Sequence, residues 1–498
     1  MRGLAALGAA GVAIAAAGVS LSRLGPAGGA SEPNVVRVGS WSAAEPNAGA
    51  QGVKVEPSPL PAAPEGLVLF ISGNWGGHLE PCGCAERQLG GIDRRTAILQ
   101  AAPAAARLLV DAGPLIAQDD RQAQLKLETF LLSMRQLGYD AIALTGRELL
   151  LLHDTLGLAG EQRPPVVATN RSESARAEFG AVAAAEKTLR RGSEELGCLV
   201  LAVCGGQEAV EGSRQERLGR VEPVAAVRAA LEARGVPAEQ PSGGRLVIVL
   251  LPDGEESLVK QLGELSAVDL VVTKGLLDAP ELVRPQGRGP AVVTTGNLGK
   301  YVAQFEVMGK PDGSLAGARF TAVAIDALYP RDPNVVRLMD SYQMQMEMED
   351  LIGDEGRLPR RPTPEGLQFT GNESCGAPGC HAEIYQTWKS TKHGQAMETL
   401  KKANRQYDPE CVGCHSVGMR RLGGYRSMVQ TPQLADVGCE ACHEPGGDHA
   451  DDVYAPYRTI FMPCEECHTH ENSPPFAGQR EEYFQKVNHW KEPRKYWK

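Results

Sequence analysis

Three short segments decide the fold of the last quarter of the chain: Cys411-Val-Gly-Cys414-His415, Cys439-Glu-Ala-Cys442-His443 and Cys464-Glu-Glu-Cys467-His468. The spacing Cys-x-x-Cys-His is the attachment signature of a c-type haem. Two thiols reach the two vinyl groups on one edge of the porphyrin, and the imidazole that follows lies under the iron as its proximal ligand. The pattern therefore predicts three covalent haems with His415, His443 and His468 as proximal ligands.

A fourth segment upstream has a longer spacing. Cys375-Gly-Ala-Pro-Gly-Cys380-His381 places four residues between the cysteines instead of two. Glycine and proline in this loop allow it to bulge outward while both sulfurs still reach one ring. The alternative interpretations are a disulfide and a zinc knuckle. Because a Cys-His pair stands directly before three haem motifs, we interpret it as a fourth haem site with His381 as proximal ligand.

Residues 371–498 are too few to wrap four haems separately, so the porphyrins must form much of the core and lie close together. Close haems exchange electrons, which predicts an electron-transfer protein. Three histidines outside the motifs are candidate distal ligands: His393, His449 and His489. His470 follows His468 too closely to reach another iron and is predicted to be a surface residue. Three distal histidines leave one of four irons open, and an open iron binds small ligands.

The net charge of the chain is −10, which argues against nucleic acid as a partner. Attachment of c-type haem takes place outside the bacterial cytoplasm, so we expect an export signal and a periplasmic or other extracytoplasmic location. Arg2 precedes an uncharged apolar run from Leu4 to Leu21, and a small-residue stretch ends at Ala30. Residues 1–30 are therefore predicted to be a signal peptide, or alternatively an uncleaved anchor that associates with the membrane.

Residues 31–64 are rich in Pro, Gly and Ala and are predicted to be a linker without a fold. From 65 to about 330, apolar strands alternate with helices, which predicts a layered α/β domain with a largely covered sheet. Predicted strands include 67–72, 107–112, 196–203, 246–251 and 269–273. Predicted helices include 122–137, 223–234 and 92–106, the last interrupted near Pro103.

A predicted helix from Asn334 to Leu351 lies in the connecting stretch 331–370 and carries four methionines. Methionine can bind haem iron, but a methionine-rich helix packed on a neighbouring element is the preferred interpretation. The domain from 371 to 498 is then predicted to be mostly helical.

The segment from Glu373 to Ala396, which contains Cys375, Cys380, His381, Trp388 and His393, resembles the first haem segment of a known family. That family comprises the tetrahaem cytochromes c of the hydroxylamine-oxidation pathway, the cytochrome c554 family. The third and fourth motifs, with His449 and His489 after them, are similar to its later segments. The resemblance covers roughly residues 371–490. It implies three bis-histidine haems and one open haem, with His415 as proximal ligand of the open one, and it implies redox partner proteins.

The α/β domain has a resemblance of its own. Gly73-Asn-Trp-Gly-Gly-His78, followed by Leu89-Gly-Gly-Ile-Asp-Arg-Arg95, resembles the opening of 5′-nucleotidase-like metallophosphoesterases, in which Asp-x-His begins a dimetal site. The chain departs from that pattern at the metal-binding positions. Asn74 stands where the first Asp is expected, and the other departures are at Pro114, Gly146-Arg147-Glu148 and Lys274-Gly-Leu-Leu. A dimetal site needs several Asp and His ligands, so we expect this domain to have lost hydrolase activity.

Four cysteines are not used by the haem motifs: Cys82, Cys84, Cys198 and Cys204. Cys82 and Cys84 are too close in sequence to form an unstrained disulfide with each other. Pairing with Cys198 or Cys204 and a metal site with His78 remain open alternatives.

The sequence as a whole predicts an exported electron-transfer cytochrome with four covalent c-type haems and a phosphoesterase-like docking or scaffold domain. Whether the chain is an enzyme is left open. One alternative is an oxidoreductase that acts on a small nitrogen-oxide-type ligand at the open haem. The other is a metal-dependent hydrolase of nucleotides or phosphate esters. The role of the four unassigned cysteines, the redox partner and the direction of electron flow do not follow from the sequence.

Overall fold

The structure, a computed structural model, describes residues 41–43, 62–81, 89–156, 158, 160–205, 212–283, 289–309, 315–354, 358–455 and 462–489. Among these residues, no helix combines the length and the apolar character needed to cross a membrane. The apolar run from Leu4 to Leu21 lies outside the described residues, as do Cys82 and Cys84.

The described strands are β1 (Trp41–Ala43), β2 (Leu67–Ser72), β3 (Arg107–Asp111), β4 (Ala141–Ala143), β5 (Val166–Val167), β6 (Ala185–Arg191), β7 (Glu194–Ala202), β8 (Arg245–Leu251), β9 (Leu270–Thr273), β10 (Leu282–Val283), β11 (Ala291–Thr294), β12 (Tyr301–Gly309) and β13 (Leu315–Ala324). They form a seven-stranded sheet in the order β1-β13-β12-β2-β3-β4-β5 and a six-stranded sheet in the order β10-β11-β9-β8-β7-β6. Both sheets are mixed. In the seven-stranded sheet β12 runs antiparallel to both of its neighbours, β13 and β2, and the other pairs are parallel. In the six-stranded sheet the two edge pairs are antiparallel and the central pairs are parallel.

The described α-helices are α1 (Thr96–Leu99), α2 (Arg121–Leu137), α3 (Gly146–Leu151), α4 (Glu173–Phe179), α5 (Ser213–Arg217), α6 (Pro223–Glu232), α7 (Glu256–Leu262), α8 (Pro333–Glu349), α9 (Asn372–Cys375), α10 (Ala382–Lys389), α11 (Ala396–Lys402), α12 (Pro409–His415), α13 (Cys439–His443) and α14 (Arg480–Val487). Single 3-10 turns lie at Ile92–Arg94, Ala104–Ala106, Gly160–Gln162, Pro364–Gly366, His393–Gln395, Pro432–Leu434, Gly447–Ala450, Cys464–Glu466 and Pro474–Phe476, and a π turn at Leu152–Leu156.

The two sheets pack face to face, with helices on both outer faces. Strand β2 shows why: Val68 and Phe70 point to the core under α2 and α8, while Leu67 and Leu69 point to the core between the sheets. Strand β8 likewise divides its side chains between the inter-sheet core and a third core under α6 and α7. Strands buried on both faces read as unbroken apolar runs, so the predicted α/β layered class is confirmed, with two sheets instead of one.

Helix α8 belongs to the α/β domain. Met339 and Met346 are buried in the same core as Phe130 of α2, whereas Met344 and Met348 are exposed. The packing interpretation of this methionine-rich helix is therefore confirmed for the two buried methionines.

The predicted interruption near Pro103 is confirmed, but the rest of the predicted helix from 92 to 106 is wrong. The structure breaks it into a turn at Ile92–Arg94, the short helix α1 and a turn at Ala104–Ala106. Pro103 has no amide hydrogen to donate and disfavours helical backbone in the residue before it, so the helix ends ahead of it.

Sequence patterns missed several strands at sheet edges. Strand β6 is rich in Glu, Lys and Arg, so it lacks the alternation of apolar and polar side chains by which a strand is recognised. It lies at the edge of its sheet, where charged side chains protect a strand against pairing with another chain. The expectation that residues 31–64 have no fold is wrong at Trp41–Ala43, which pairs in parallel with β13.

Asp269, directly before β9, gives the α/β domain a pH-dependent stability. Its carboxylate accepts hydrogen bonds from Val247 N at 2.8 Å and Ser242 Oγ at 3.0 Å, and burial raises its pKa to about 6. Between about pH 4 and pH 6 the folded chain holds a proton that the unfolded chain has released, so the free energy of unfolding falls as pH rises through this window.

Asp269→Asn should remove this dependence, because the amide oxygen keeps the acceptor role and does not titrate. Relative to the variant, the wild type is expected to lose on the order of 2 kcal/mol between about pH 4 and pH 7. Hydrogen exchange of the β8 and β9 amides, followed by mass spectrometry at both pH values, measures it. Equal pH dependence in the two proteins would show that Asp269 does not titrate in this range.

The C-terminal region, residues 358–489 of the described chain, is built differently. Its main apolar cluster contains nine of its own buried residues, from Leu358 to Leu434 and Ala435, together with Ile352 from the preceding segment. Most of its helices span about two turns or fewer. This small core holds α11 and α12 together and leaves the cysteine-bearing segments around a large cavity.

Polar contacts join the α/β domain to the N-terminal end of α12. Gln122 Nε2 donates to Asp408 Oδ1 at 2.8 Å, and Lys126 Nζ lies 2.6 Å from Glu410 Oε2. The Lys126 side chain is only 5% exposed, whereas that of Glu410 is 53% exposed, so the lysine end of this ion pair is buried and the carboxylate end faces water. Arg405 Nε donates to Glu80 Oε1 at 2.7 Å beside them.

Candidate haem-binding site

Short helices carry the second and third Cys-x-x-Cys-His motifs. In α12, Pro409 occupies the first turn and Asp408 caps the helix by accepting a hydrogen bond from Glu410 N at 2.9 Å. The third motif forms α13, and the fourth begins on the 3-10 turn Cys464–Glu466. A helical turn places residues three apart on one face, which is the arrangement two thioether cysteines need.

The first motif reaches a comparable arrangement with its longer loop. The His381 amide donates to Cys375 O at 3.0 Å, which closes the loop between them. Gly379 has φ +88, a conformation that favours glycine, and Pro378 and Gly379 are exposed, so this part of the loop lies outward as the sequence predicted.

All four motifs face one cavity of about 3610 Å³. Its lining includes the eight motif cysteines Cys375, Cys380, Cys411, Cys414, Cys439, Cys442, Cys464 and Cys467, the four predicted proximal ligands His381, His415, His443 and His468, and the three predicted distal ligands His393, His449 and His489. The side chain of His470 is 75% exposed, in line with its prediction as a surface residue.

The cysteines of different motifs approach each other across this cavity. The Cys439 thiol lies within hydrogen-bonding reach of Cys375, and Cys414 within reach of Cys467. The attachment edges of the first and third sites are therefore adjacent, and so are those of the second and fourth. Groups attached at these edges would lie close together, which suits rapid electron exchange.

Two pairs of imidazole rings face each other in the cavity. The ring centroids of His393 and His468 are 6.1 Å apart, and those of His443 and His489 are 6.0 Å apart. Imidazole nitrogens bind first-row metals at about 2 Å, so two rings on opposite sides of one metal have centroids roughly 6 Å apart. Each pair therefore combines a predicted proximal ligand with a predicted distal one at the separation that a shared iron requires.

Two of these histidines have a lowered pKa, which favours the neutral form that binds a metal. Burial, together with the neighbouring His468 and His415, lowers the pKa of His393 to about 4. Burial and the nearby His489 and His381 lower the pKa of His443. Both rings are neutral near pH 7 and keep a lone pair for a metal.

Backbone carbonyls fix the orientation of two more rings. Nδ1 of His415 lies 2.8 Å from Ala396 O, and Nδ1 of His489 lies 3.1 Å from Val487 O. A carbonyl only accepts, so Nδ1 carries the hydrogen and Nε2 is left as the ligand atom. The residues present therefore fit c-type haem, with thioether cysteines, proximal imidazoles and distal imidazoles around one cavity.

Residues 375–444 match the family model of cytochrome c554 and c-prime. A curated relative, cytochrome c-554 of Nitrosomonas europaea, is 32% identical over 151 residues. That match covers 23% of this chain and 63% of the relative, so the chain spans less than two thirds of the relative's length. The resemblance of the C-terminal region to the cytochrome c554 family is thus confirmed, and it supports c-type haem and multihaem electron transfer.

Outside this cytochrome c554-like region, the sequence had suggested a degenerate metal site in the α/β domain. Asp111, at the end of β3, is fully buried. Its Oδ2 accepts hydrogen bonds from Ser72 Oγ at 2.6 Å and Trp75 Nε1 at 2.8 Å, and its Oδ1 accepts one from Gly113 N at 2.8 Å. Burial raises the pKa of this carboxyl despite these bonds. An indole N–H and a hydroxyl thus donate to the same carboxylate oxygen.

Two positions compared with the dimetal pattern above, Asn74 and Glu148, are also bonded to groups of the protein. Glu148 caps α3, and its carboxylate accepts from Leu115 N at 2.6 Å, Ile116 N at 3.0 Å and Thr145 N at 2.9 Å. Asn74 Nδ2 donates to Gly296 O at 2.8 Å. Among the described residues, no group of three or more His, Cys, Asp or Glu side chains is placed to hold a metal ion.

The similar solved structures include two nucleotidases and a sulfate thiohydrolase. The 5′-nucleotidase precursor of Thermus thermophilus is 21% identical, with 68% of this chain and 67% of that chain covered and a TM-score of 0.45. A sulfate thiohydrolase of Thermus thermophilus is 15% identical over 58% of this chain and 62% of that chain, with a TM-score of 0.44. The NAD nucleotidase of Haemophilus influenzae is 14% identical over 63% of this chain and 64% of that chain, with a TM-score of 0.41.

Sequence reasoning missed one residue of the haem cavity. His78, from the α/β domain, lines the cavity together with the seven predicted histidines. The sequence carried a weak signal, since His78 and His153 are the only histidines between residues 31 and 380. Which of these two faces the cytochrome c554-like region depends on how the domains pack, and local patterns do not contain that information.

Proposed function

We propose that the chain is an extracytoplasmic multihaem c-type cytochrome that carries electrons between redox partner proteins through four covalently bound haems. One observation carries this proposal. Two proximal–distal imidazole pairs, His393 with His468 and His443 with His489, face each other at about the spacing of a shared iron, inside a cavity lined by all eight motif cysteines.

When bound, c-type haem supplies one-electron transfer. The chain determines where that chemistry takes place. Its cysteines hold the attachment edges of different sites next to one another, and Ala396 O and Val487 O hold His415 and His489 in one tautomer. Paired imidazoles exclude other ligands from an iron, which favours electron transfer over ligand chemistry at those two sites.

We further propose that the α/β domain is a docking module without hydrolase activity. Asp111 and Glu148 would need uncommitted carboxylate oxygens to bind a metal, and both instead accept hydrogen bonds from the protein. The same domain contacts the helix of the second motif through Gln122 and Lys126. Its packing against α12 supports a role in positioning the haem cavity.

The test combines covalent haem content, electron uptake and hydrolase assays on the full chain purified from a host that matures c-type cytochromes. Four covalent haems by mass spectrometry and an uptake of four electrons per chain are expected. Phosphatase and nucleotidase assays with added Mn²⁺ or Zn²⁺ should show no metal-dependent turnover. Fewer covalent haems would refute the first motif as a haem site, and metal-dependent hydrolysis would refute the docking role.

A further inference from the structure

The α/β domain places one imidazole in the haem cavity, on a loop that the fold holds firmly. This loop follows β2, and three of its amides donate to carbonyls after β3: Asn74 N to Gly113 O at 2.7 Å, Trp75 N to Pro114 O at 2.9 Å and Gly77 N to Leu115 O at 2.8 Å. Gly76 and Gly77 have φ +56 and +86, which glycine adopts without strain. The position of His78 is therefore fixed by backbone bonds.

The ring of His78 has the orientation of a metal ligand. Its Nδ1 lies 3.2 Å from Trp75 O, so Nδ1 carries the hydrogen and Nε2 keeps the lone pair. Within the described chain, Nε2 makes no hydrogen bond. Two cavity histidines already assigned as ligands, His415 and His489, have the same Nδ1-to-carbonyl arrangement. Such a bond to the second ring nitrogen accompanies most histidine ligands of metals.

The residues on either side of His78 are close to residues next to the second motif. A Cβ built on Gly77 would lie 3.6 Å from Lys126 Nζ, and Lys126 pairs with Glu410, the residue directly before Cys411. On the other side of His78, Glu80 binds Arg405 in the turn that precedes α12. The loop thus places His78 near the second motif, which contains Cys411, Cys414 and His415.

The number of histidines in the cavity matches two axial ligands for each of four irons. Eight histidines line it, and two facing pairs use four of them. The other four are His78, His381, His415 and His449. Because His78 lies beside the second motif, His449 is left for the iron of His381.

We propose that His78 is the distal ligand of the haem held by Cys411, Cys414 and His415. This inference rests on the proposed function, since it needs four bound haems. It differs from the resemblance to tetrahaem cytochromes c, which implies an open iron at His415. The α/β domain would then complete the haem assembly by closing its last axial position.

The test is the spin state and carbon monoxide binding of the holoprotein, with His78→Ala as the variant and His153→Ala as the matched control. His153 is the other histidine of the α/β domain and is exposed. The oxidised wild type and H153A should show no high-spin haem by electron paramagnetic resonance, and after reduction they should bind no carbon monoxide. H78A should show one high-spin haem in four and bind one carbon monoxide per chain, and added imidazole should restore the low-spin signal.

Two results would overturn the proposal: one carbon monoxide bound per wild-type chain, or H78A spectra identical to those of the wild type. If H78A does not fold, His78→Met provides the second variant, because a thioether ligand should give one haem the absorption band of histidine–methionine ligation. Unchanged bis-histidine spectra of H78M would also refute the ligand. A covalent count of four haems with one open iron rejects His78 alone, whereas a chain without covalent haem rejects the proposed function.

Discussion

His393→Ala should open one iron and give the oxidised holoprotein one new high-spin haem in four. The structure pairs His393 with His468 at a centroid distance of 6.1 Å, and the variant removes the distal ring while the proximal ring and both thioethers stay. The reduced variant should therefore bind one more carbon monoxide per chain than the wild type. Electron paramagnetic resonance and a carbon monoxide titration measure both effects.

His470→Ala is the matched control for this experiment. His470 lies two residues after His468, its side chain is 75% exposed, and it is not among the residues that line the cavity. Its replacement should leave spin state and ligand binding unchanged. Should H470A open an iron while H393A does not, the assigned pair would be wrong and His470 would be the distal ligand.

Asp111→Ala should destabilise the α/β domain by roughly 2–5 kcal/mol. The variant leaves the indole N–H of Trp75 and the backbone N–H of Gly113 buried without their acceptor, and each such donor costs about 1–3 kcal/mol. Ser72 Oγ loses Asp111 as well but keeps Tyr139 Oη at 2.9 Å. It also removes negative charge near the fully buried guanidinium of Arg95, which lies 4.0 Å from the Trp75 ring centroid. Hydrogen exchange of the β2 and β3 amides provides the measurement.

Asp119→Ala is the control, because Asp119 is an exposed residue in the loop after β3 and should have almost no effect on stability. Melting curves with and without Mn²⁺ separate a structural role of Asp111 from metal binding. A structural carboxylate predicts no effect of the cation on the wild type. Stabilisation of the wild type by Mn²⁺ that is lost in D111A would make Asp111 a metal ligand and contradict the docking interpretation.

The haem motifs could be predicted from the sequence because their chemistry is local. Cys411, Cys414 and His415 must stand at fixed spacing because they form bonds to a rigid ring, so the pattern predicts its own geometry. Strand β8 could also be predicted from a local pattern. Both of its faces are buried, and the unbroken apolar run from Leu246 to Leu251 has few other interpretations.

Contacts between residues far apart in the chain could not be predicted from the sequence. Nothing near His393 shows that it faces His468, since the two rings meet only after the intervening chain has folded. The charged edge strand β6 and the short strand β1 are defined by their neighbours in the sheets. The approach of His78 to α12 depends on the packing of two domains that have separate sequence signatures.

The small apolar cluster of the C-terminal region has a consequence for maturation. A main cluster of nine buried apolar residues, with Ile352 from the preceding segment, gives little driving force for folding a region of this length, so we expect most of its burial to come from attached cofactors. Binding that is specific to the folded state stabilises it by mass action, and metal ligation of this kind is part of the folding free energy. A chain with an empty motif would therefore remain open to proteases, so incompletely assembled molecules would be removed during maturation.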